Sequence, residues 1–203
     1  MATLAEQFGE IDIYLFDQLL KGRIRPGMRV FDAGCGGGRN LVYLLREGYE
    51  VFGVDADRRA VAAVWQLASK LPADNFRVEN VEESSFPDGF ADVVLSSAVL
   101  HFARDDDRFA AMLRGSWRVL KSGGLFFCRL ASDIGMEGRF QQIAGQVYRL
   151  LDGSERYLVN EAMLLRWTDE LGGTLVDPLK TTVVQGQRCM TTWVMRKLPT
   201  ASR

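Results

Sequence analysis

Val30-Phe31-Asp32-Ala33-Gly34-Cys35-Gly36-Gly37-Gly38-Arg39-Asn40 is the stretch whose reading decides the fold. Apolar Met28 to Phe31 reads as a buried strand with Asp32 at its carboxyl end. Glycines at every second position, Gly34, Gly36 and Gly38, permit a tight turn and a close approach of backbone to a ligand. A helix is expected from about Arg39 to Arg46, so that its first N–H groups face the same ligand. A second strand, Glu50-Val51-Phe52-Gly53-Val54, ends in Asp55, an acid placed to accept hydrogen bonds from a ribose diol. A glycine loop and an acid on consecutive strands together imply an adenosine-containing cofactor.

The glycine spacing selects among such cofactors. A dinucleotide fingerprint places glycines at 34, 36 and 39, the last for close helix–strand packing; position 39 is Arg, and the third glycine comes one residue early. Asp32 also stands at the mouth of the loop, where a pyrophosphate would meet a like charge and a cationic ligand an opposite one. S-adenosylmethionine carries an ammonium and a sulfonium and has no phosphate. It is the expected cofactor, with S-adenosylhomocysteine as product.

Length and composition bound the rest. The 203 residues suffice for one buried core, and 47% apolar with 25% charged residues is globular composition. A net charge of −1, with basic residues scattered along the chain, leaves no electrostatic footprint for nucleic acid or an anionic membrane. No apolar run is long enough to span a bilayer, and Met1 to Glu10 lacks the basic start and apolar middle of a secretory signal. Cys35, Cys128 and Cys189 are odd in number and widely spaced, and a single histidine offers no metal-ligand cluster. The expectation is a cytoplasmic, reduced, metal-free protein without membrane or nucleic-acid partners, as monomer or homodimer.

From Val30 to about Leu130 strand and helix patterns alternate, which predicts a parallel sheet covered on both faces. Strands are expected at Arg29 to Phe31, Val51 to Val54, Phe76 to Glu79, Asp92 to Ser96 and Leu125 to Leu130. Helices are expected over Arg58 to Lys70 and Arg108 to Leu120. In the latter, Phe109, Met112, Leu113, Trp117 and Leu120 form one core-facing stripe. Ser132 to Asn160 is longer than a simple crossover and is read with a helix of its own, about Phe140 to Leu151. A helix over Glu161 to Leu171 then precedes two β-rich segments, Thr174 to Val184 and Arg188 to Lys197. Gln185-Gly186-Gln187 joins them as a hairpin. Such an antiparallel hairpin closing a parallel sheet separates the methyltransferase architecture from the dehydrogenase one. Ile11 to Lys21 reads as a helix that either lies across the cofactor mouth or caps the sheet.

The whole of 1–203 is therefore read as one α/β, Rossmann-like domain. Residues 1–27 form a helical cover, 28–130 the cofactor-binding core, 132–160 an insert or lid, and 161–198 the last helix and hairpin.

Asp32-Ala33-Gly34-Cys35-Gly36-Gly37-Gly38-Arg39-Asn40, with Tyr43-Leu44 and Gly48-Tyr49-Glu50-Val51, resembles class I S-adenosylmethionine-dependent methyltransferases. The Gly-Arg-Asn ending is most similar to the bacterial tellurite-resistance type. Ser96 to Phe102 and Arg118 to Gly124 resemble segments of small-molecule methyltransferases, so the likeness covers roughly residues 28 to 130. The part beyond, where acceptor choice resides, matches in architecture only, and a tellurite substrate does not follow.

The resemblance implies that Asp32 binds the methionyl ammonium and that Gly34, Gly36 and Gly38 let the backbone pass close to the ligand. Asn40 closes the same motif. It also implies that Asp55 holds the ribose hydroxyls, that Ala56 lies against adenine, and that Ser97 meets the methionyl portion. Where the family often carries Asp for the adenine amino group this chain has Asn80, or Glu79 if the register slips by one; an Asn carbonyl can accept the same bond. Val81 would then offer its N–H to the ring.

Methyl transfer from a sulfonium needs mainly alignment and exclusion of water, and a general base only for an acceptor protonated near neutrality. His101, Arg129 and Tyr14 are the catalytic candidates, His101 for acid–base work or acceptor contact, Arg129 for holding an anionic acceptor, and Tyr14, with Arg139 and Tyr157, for the lid. His101 has a loop-shaping alternative and Arg129 a salt bridge on the sheet rim. Cys35 is read as filling a small space, and Asp105-Asp106-Asp107 as a helix cap rather than a metal site. The leading reading is a small-molecule methyltransferase. The alternatives are methylation of RNA or protein, and a catalytically inactive cofactor-binding partner subunit.

Overall fold

A computed structural model describes residues 3–199. Two short helices, α1 (Leu4–Phe8) and α2 (Ile13–Leu20), precede an alternation of β1 (Arg29–Ala33), α3 (Val42–Arg46), β2 (Glu50–Asp55), α4 (Arg58–Leu67), β3 (Phe76–Val78), β4 (Ala91–Ser97), α5 (Asp106–Val119) and β5 (Leu120–Ser132). The chain continues through β6 (Gln141–Ala144), β7 (Val147–Arg149), β8 (Glu155–Tyr157), α6 (Glu161–Glu170), β9 (Gly173–Leu175), β10 (Lys180–Val184) and β11 (Arg188–Lys197).

The main sheet runs β10-β11-β5-β4-β1-β2-β3, with β9 also on β11. Pairs among β1 to β5 are parallel, and β11 pairs antiparallel with β5, β9 and β10. Because the strands carry side chains alternately up and down, the core divides into two layers. Phe31, Val94, Phe126 and Trp193 face α5 and α6, meeting Phe109, Leu113, Trp117 and Trp167. Val30, Val93, Leu95 and Phe127 face the other way, toward Leu15 of α2, Leu44 of α3 and Val61 and Val64 of α4. The one polar atom of the buried Trp193 ring is satisfied, its Nε1–H donating to Thr168 Oγ1 at 3.0 Å. The Trp117 stripe is core, as its spacing predicts.

One expected element is wrong. Phe140 to Leu151 is not a helix: β6 and β7 pair antiparallel there, turn at Gly145 and Gln146, and continue to β8 as a separate three-stranded sheet. Gly145 sits at φ +52°, which ends any helix and suits a tight turn. The helix after the glycine loop is also shorter than expected. It begins at Val42, with Arg39 and Asn40 in the turn before it. No helix among the described residues is long and apolar enough to cross a membrane.

Candidate active site

The strand order reverses between β1 and β4, and ligands in open α/β sheets bind beyond the carboxyl ends of strands at such a switch point. A cavity of about 730 Å³ opens there. The turn after β1 forms its floor, and the three alternate glycines serve different ends. Gly36, at φ +51°, has open space where a side chain would project, and its N–H donates to Asp55 Oδ2 at 2.8 Å. Gly34, at φ +93°, has Val99 only 2.4 Å from where a Cβ would stand, so it lets the loop pack on the segment after β4. Gly38 lies outside the cavity. At φ +81° it permits contact with Leu67 and Val64 of α4, which is a packing role rather than the ligand contact expected from the motif.

Asp32 is 2% exposed and lines the cavity, yet its carboxylate has no hydrogen-bond partner among the described residues. Burial raises its pKa to about 8; the nearby Asp55 charge adds to the rise and Arg39 opposes it. A buried carboxylate that is costly to ionise alone is a fitting seat for a cation. Asp55 lies beside it, fixed by the Gly36 N–H and by the Asp57 N–H, which donates to Oδ1 at 2.9 Å. Ala56 follows at the cavity wall. Cys35, in the same loop, is buried, and burial together with the two neighbouring acids pushes its thiol up, so it fills space as an un-ionised group.

The register after β3 is settled. Asp55 pairs with Val78, and Asn80 and Val81 line the cavity. The Glu79 carboxylate is taken up by Ser85, accepting from its N–H at 2.8 Å and its hydroxyl at 2.5 Å. Asn80 donates its amide to Glu83 at 3.0 Å, which orients the amide through its nitrogen. Beyond it, Glu82 and Arg108 form an ion pair that sequence reasoning did not find.

Ser97 ends β4 at the cavity and accepts from Arg39 Nη2 at 3.3 Å. Ala98 then adopts φ +63°, uncommon for a residue with a Cβ and a form of strain that clusters at functional sites. This turn leads into a 3-10 turn over Leu100–Phe102 that sets His101 against the cavity. His101 is 5% exposed, and its Nδ1 accepts the Ala131 N–H at 3.2 Å. A backbone N–H can only donate, so the neutral ring carries its proton on Nε2. Burial, aided by the Arg156 charge, lowers the pKa to about 4. Near neutral pH His101 is therefore an uncharged Nε2–H donor, not the near-neutral base its residue type suggests.

Asn40 and Arg129 line the cavity but are already engaged. The Asn40 side-chain oxygen accepts the Asp12 N–H at 2.9 Å, and Arg129 Nη1 donates to Asp12 Oδ2 at 2.7 Å. Asp12 caps α2 through the Tyr14 N–H, so one buried acid ties the N-terminal helix to both the glycine loop and β5. Of the two readings of Arg129, the structure has the salt bridge. Tyr14 lies outside the cavity, with its ring near the Arg129 guanidinium and its hydroxyl 2.7 Å from Thr182 Oγ1. Neither α1 nor α2 contributes a lining residue, which is the sheet-capping alternative. Tyr157 is buried, stacked on Phe109 with its hydroxyl donating to Asp106, and neither it nor Arg139 reaches the cavity.

The remaining wall draws on the expected 132–160 insert, though on none of the residues named for it, and on a hairpin that was not foreseen there. It comes from Phe102, from Leu150, Asp152, Ser154 and Arg156 around the small sheet, and from Val184, Arg188, Cys189 and Met190 of the β10–β11 hairpin. Asp105 caps α5 by accepting the Arg108 N–H at 2.7 Å. Among the described residues no group of three or more His, Cys, Asp or Glu is placed to hold a metal ion.

Residues 31–128 match the family described as a methyltransferase domain. A solved S-adenosylmethionine-dependent methyltransferase from Methanosarcina mazei superposes with a TM-score of 0.70, covering 89% of this chain and 97% of that one at 19% identity. The fold is that of a class I methyltransferase. The 1,6-didemethyltoxoflavin-N1-methyltransferase of Burkholderia thailandensis, solved with 1,6-didemethyltoxoflavin and S-adenosylhomocysteine, has a TM-score of 0.69. It covers 95% of this chain and 80% of that one at 20% identity. An uncharacterised methyltransferase of Synechocystis sp. is 34% identical over 103 residues, 51% of this chain and 47% of that protein. The chain thus spans less than half of that curated relative.

Proposed function

We propose that this chain is an S-adenosylmethionine-dependent methyltransferase acting on a small-molecule acceptor. The observation that carries the reading is Asp32, a buried carboxylate without a hydrogen-bond partner, beside a glycine with open space before it and a second acid held in place by the loop. This donor set suits a molecule with a cationic amino-acid end and a ribose. Asp32 would take the ammonium, Asp55 the ribose hydroxyls, and Asn80, Val81 and Ala56 the adenine. The Burkholderia neighbour, solved with S-adenosylhomocysteine and a small heterocycle, supports the same division.

Bound there, the cofactor supplies an electrophilic methyl group on a sulfonium, a leaving group that departs neutral. The protein's own part is positional. The strand ends and the glycine turn hold one partner, and the wall of Phe102, Leu150 and Met190 excludes water around the other. His101 offers an Nε2–H to orient the acceptor and takes no proton from it. Arg129 is committed to Asp12. With Asp32 committed to the cofactor's ammonium and His101 an uncharged donor, no base faces the acceptor, and acceptors already nucleophilic at neutral pH fit best: thiols, selenols or oxyanions. The tellurite-resistance likeness lies in the glycine-loop segment and bears on cofactor rather than acceptor.

A panel of small thiols, selenols, phenols, amines and oxyanions, read by S-adenosylhomocysteine release, tests this. At least one should raise release well above the acceptor-free rate. Binding of S-adenosylmethionine with no release across the panel would favour a cofactor-binding subunit instead.

A further inference from the structure

We propose that the acceptor is an anionic, largely apolar small molecule, its negative group held by Arg156 and Arg188 and its body against Phe102, Leu150 and Met190. The inference rests on the methyltransferase reading and names the substrate class of that site. It starts from the unequal treatment of the arginines that line the cavity. Arg129 is 2.7 Å from Asp12, and Arg108 is paired with Glu82. Arg39, in the glycine loop, belongs to the cofactor side, where its charge bears on Asp32.

Arg156 is different. It stands on β8 with its guanidinium 4.8 Å from the Phe102 ring centroid, and Nη1 donates to the Glu155 carbonyl. No carboxylate among the described residues lies within ion-pair distance of it. Arg188, at the start of β11, reaches Asp152 Oδ2 only at 3.9 Å, while Asp152 Oδ1 is occupied by the Ser154 N–H and hydroxyl. The small sheet and the hairpin thus each bring a cation to one cavity, and the single carboxylate Asp152, which feels both charges, compensates them only loosely.

Around them the wall carries apolar side chains beside Asp152 and Ser154. Phe102 is 63% exposed where it lines the cavity, and Leu150, Val184 and Met190 add further apolar surface. The guanidinium already lies over the ring, so a flat apolar body against Phe102 would bring its own anionic substituent to Arg156. A neutral acceptor would leave both cations without that partner.

The probe pair is 2-naphthoate and 2-naphthamide, alike in shape and different in charge. Each is titrated by calorimetry into the full chain, alone and saturated with S-adenosylhomocysteine. The carboxylate should bind at least about tenfold more tightly than the amide, with the margin shrinking at high salt. Arg156→Gln and Arg188→Gln should each reduce that margin and together remove it, with Lys at either position restoring part of it. Arg149→Gln, on the same small sheet but outside the cavity, should leave the margin intact. Equal binding of the two probes, no binding of either, or a carboxylate preference surviving in the double variant would overturn the proposal. Absence of S-adenosylhomocysteine binding would remove the methyltransferase reading. Its presence without a carboxylate preference would overturn the anion site alone.

Discussion

The two sides of the cavity are made of different material. On the cofactor side the shape is set by backbone: strands β1, β2 and β4, largely buried, end in register, and the chain turns on positive-φ glycines after β1 and on Ala98 after β4. On the acceptor side it is set by side chains on a largely exposed three-stranded sheet and the tip of a hairpin. A parallel core leaves little choice of register, so the first side follows from the fold. The second is attached to that fold and is free to differ. Changes on the first side should therefore act on cofactor affinity, and changes on the second on acceptor choice at unchanged cofactor affinity.

The largest effect is expected at Gly36. A β-branched residue at φ +51° is strained by of order 1–3 kcal/mol and would intrude on the ligand's space besides. Gly36→Val should lower S-adenosylhomocysteine affinity by about a hundredfold or more in calorimetry with a native circular-dichroism spectrum. Gly34→Val sharpens the contrast, because its side chain would strike Val99 and should lower the melting temperature instead. Normal affinity in folded Gly36→Val would break the comparison at its base.

Asp55→Ala comes next. Hydrogen bonds to a carboxylate contribute about 1.5–3 kcal/mol each, so affinity should fall at least tenfold. The freed Gly36 N–H adds loop disorder to the loss. An unchanged dissociation constant would remove Asp55 from the site.

Asp32 makes the side's character visible in pH. Its pKa is raised from 3.8 to about 8, so the folded, ligand-free protein holds a proton there that the unfolded chain releases. That stabilising contribution is full below about pH 4 and is lost as pH rises through 8. Asp32→Asn should consequently be more thermostable than wild type above pH 8 while binding S-adenosylmethionine more weakly. Wild type should release a proton on binding it at pH 7, seen as a buffer-dependent heat. Stability of Asp32→Asn parallel to wild type across pH 5 to 9 would contradict the assignment.

The smallest effect is expected at His101, on the boundary between the sides. Its pKa near 4 predicts turnover without a limb around pH 6.5, and His101→Ala should cost about threefold to tenfold, the worth of one neutral hydrogen bond. A rate limb near 6.5 that vanishes in the variant would make it a base.

The same contrast explains what the sequence revealed. Val30 to Asn40 and Glu50 to Asp55 carry largely buried strands and, after the first, positive-φ glycines, features with local signatures, and the mostly parallel sheet was legible from them. In Phe140 to Leu151 the apolar residues at 140, 143, 147 and 150 fall at helical intervals, although the segment is a hairpin and a strand end. All of β6 is exposed, so no alternating buried face was present to expose the error. Arg156 and Arg188 gave no motif, because only the fold brings them to one cavity with Asp152 as the acid they share. That His101 is an uncharged donor was illegible for a similar reason: its tautomer is set by a backbone N–H thirty positions away.

The most direct test of the central claim, that the glycine-loop side is built for a cationic adenosyl ligand, is a side-by-side calorimetric titration of the wild-type chain with S-adenosylmethionine and NADH at pH 7.5. The account predicts one saturable site for S-adenosylmethionine, abolished or strongly weakened in Gly36→Val, and no comparable site for NADH. Tight NADH binding with no heat from S-adenosylmethionine would contradict it.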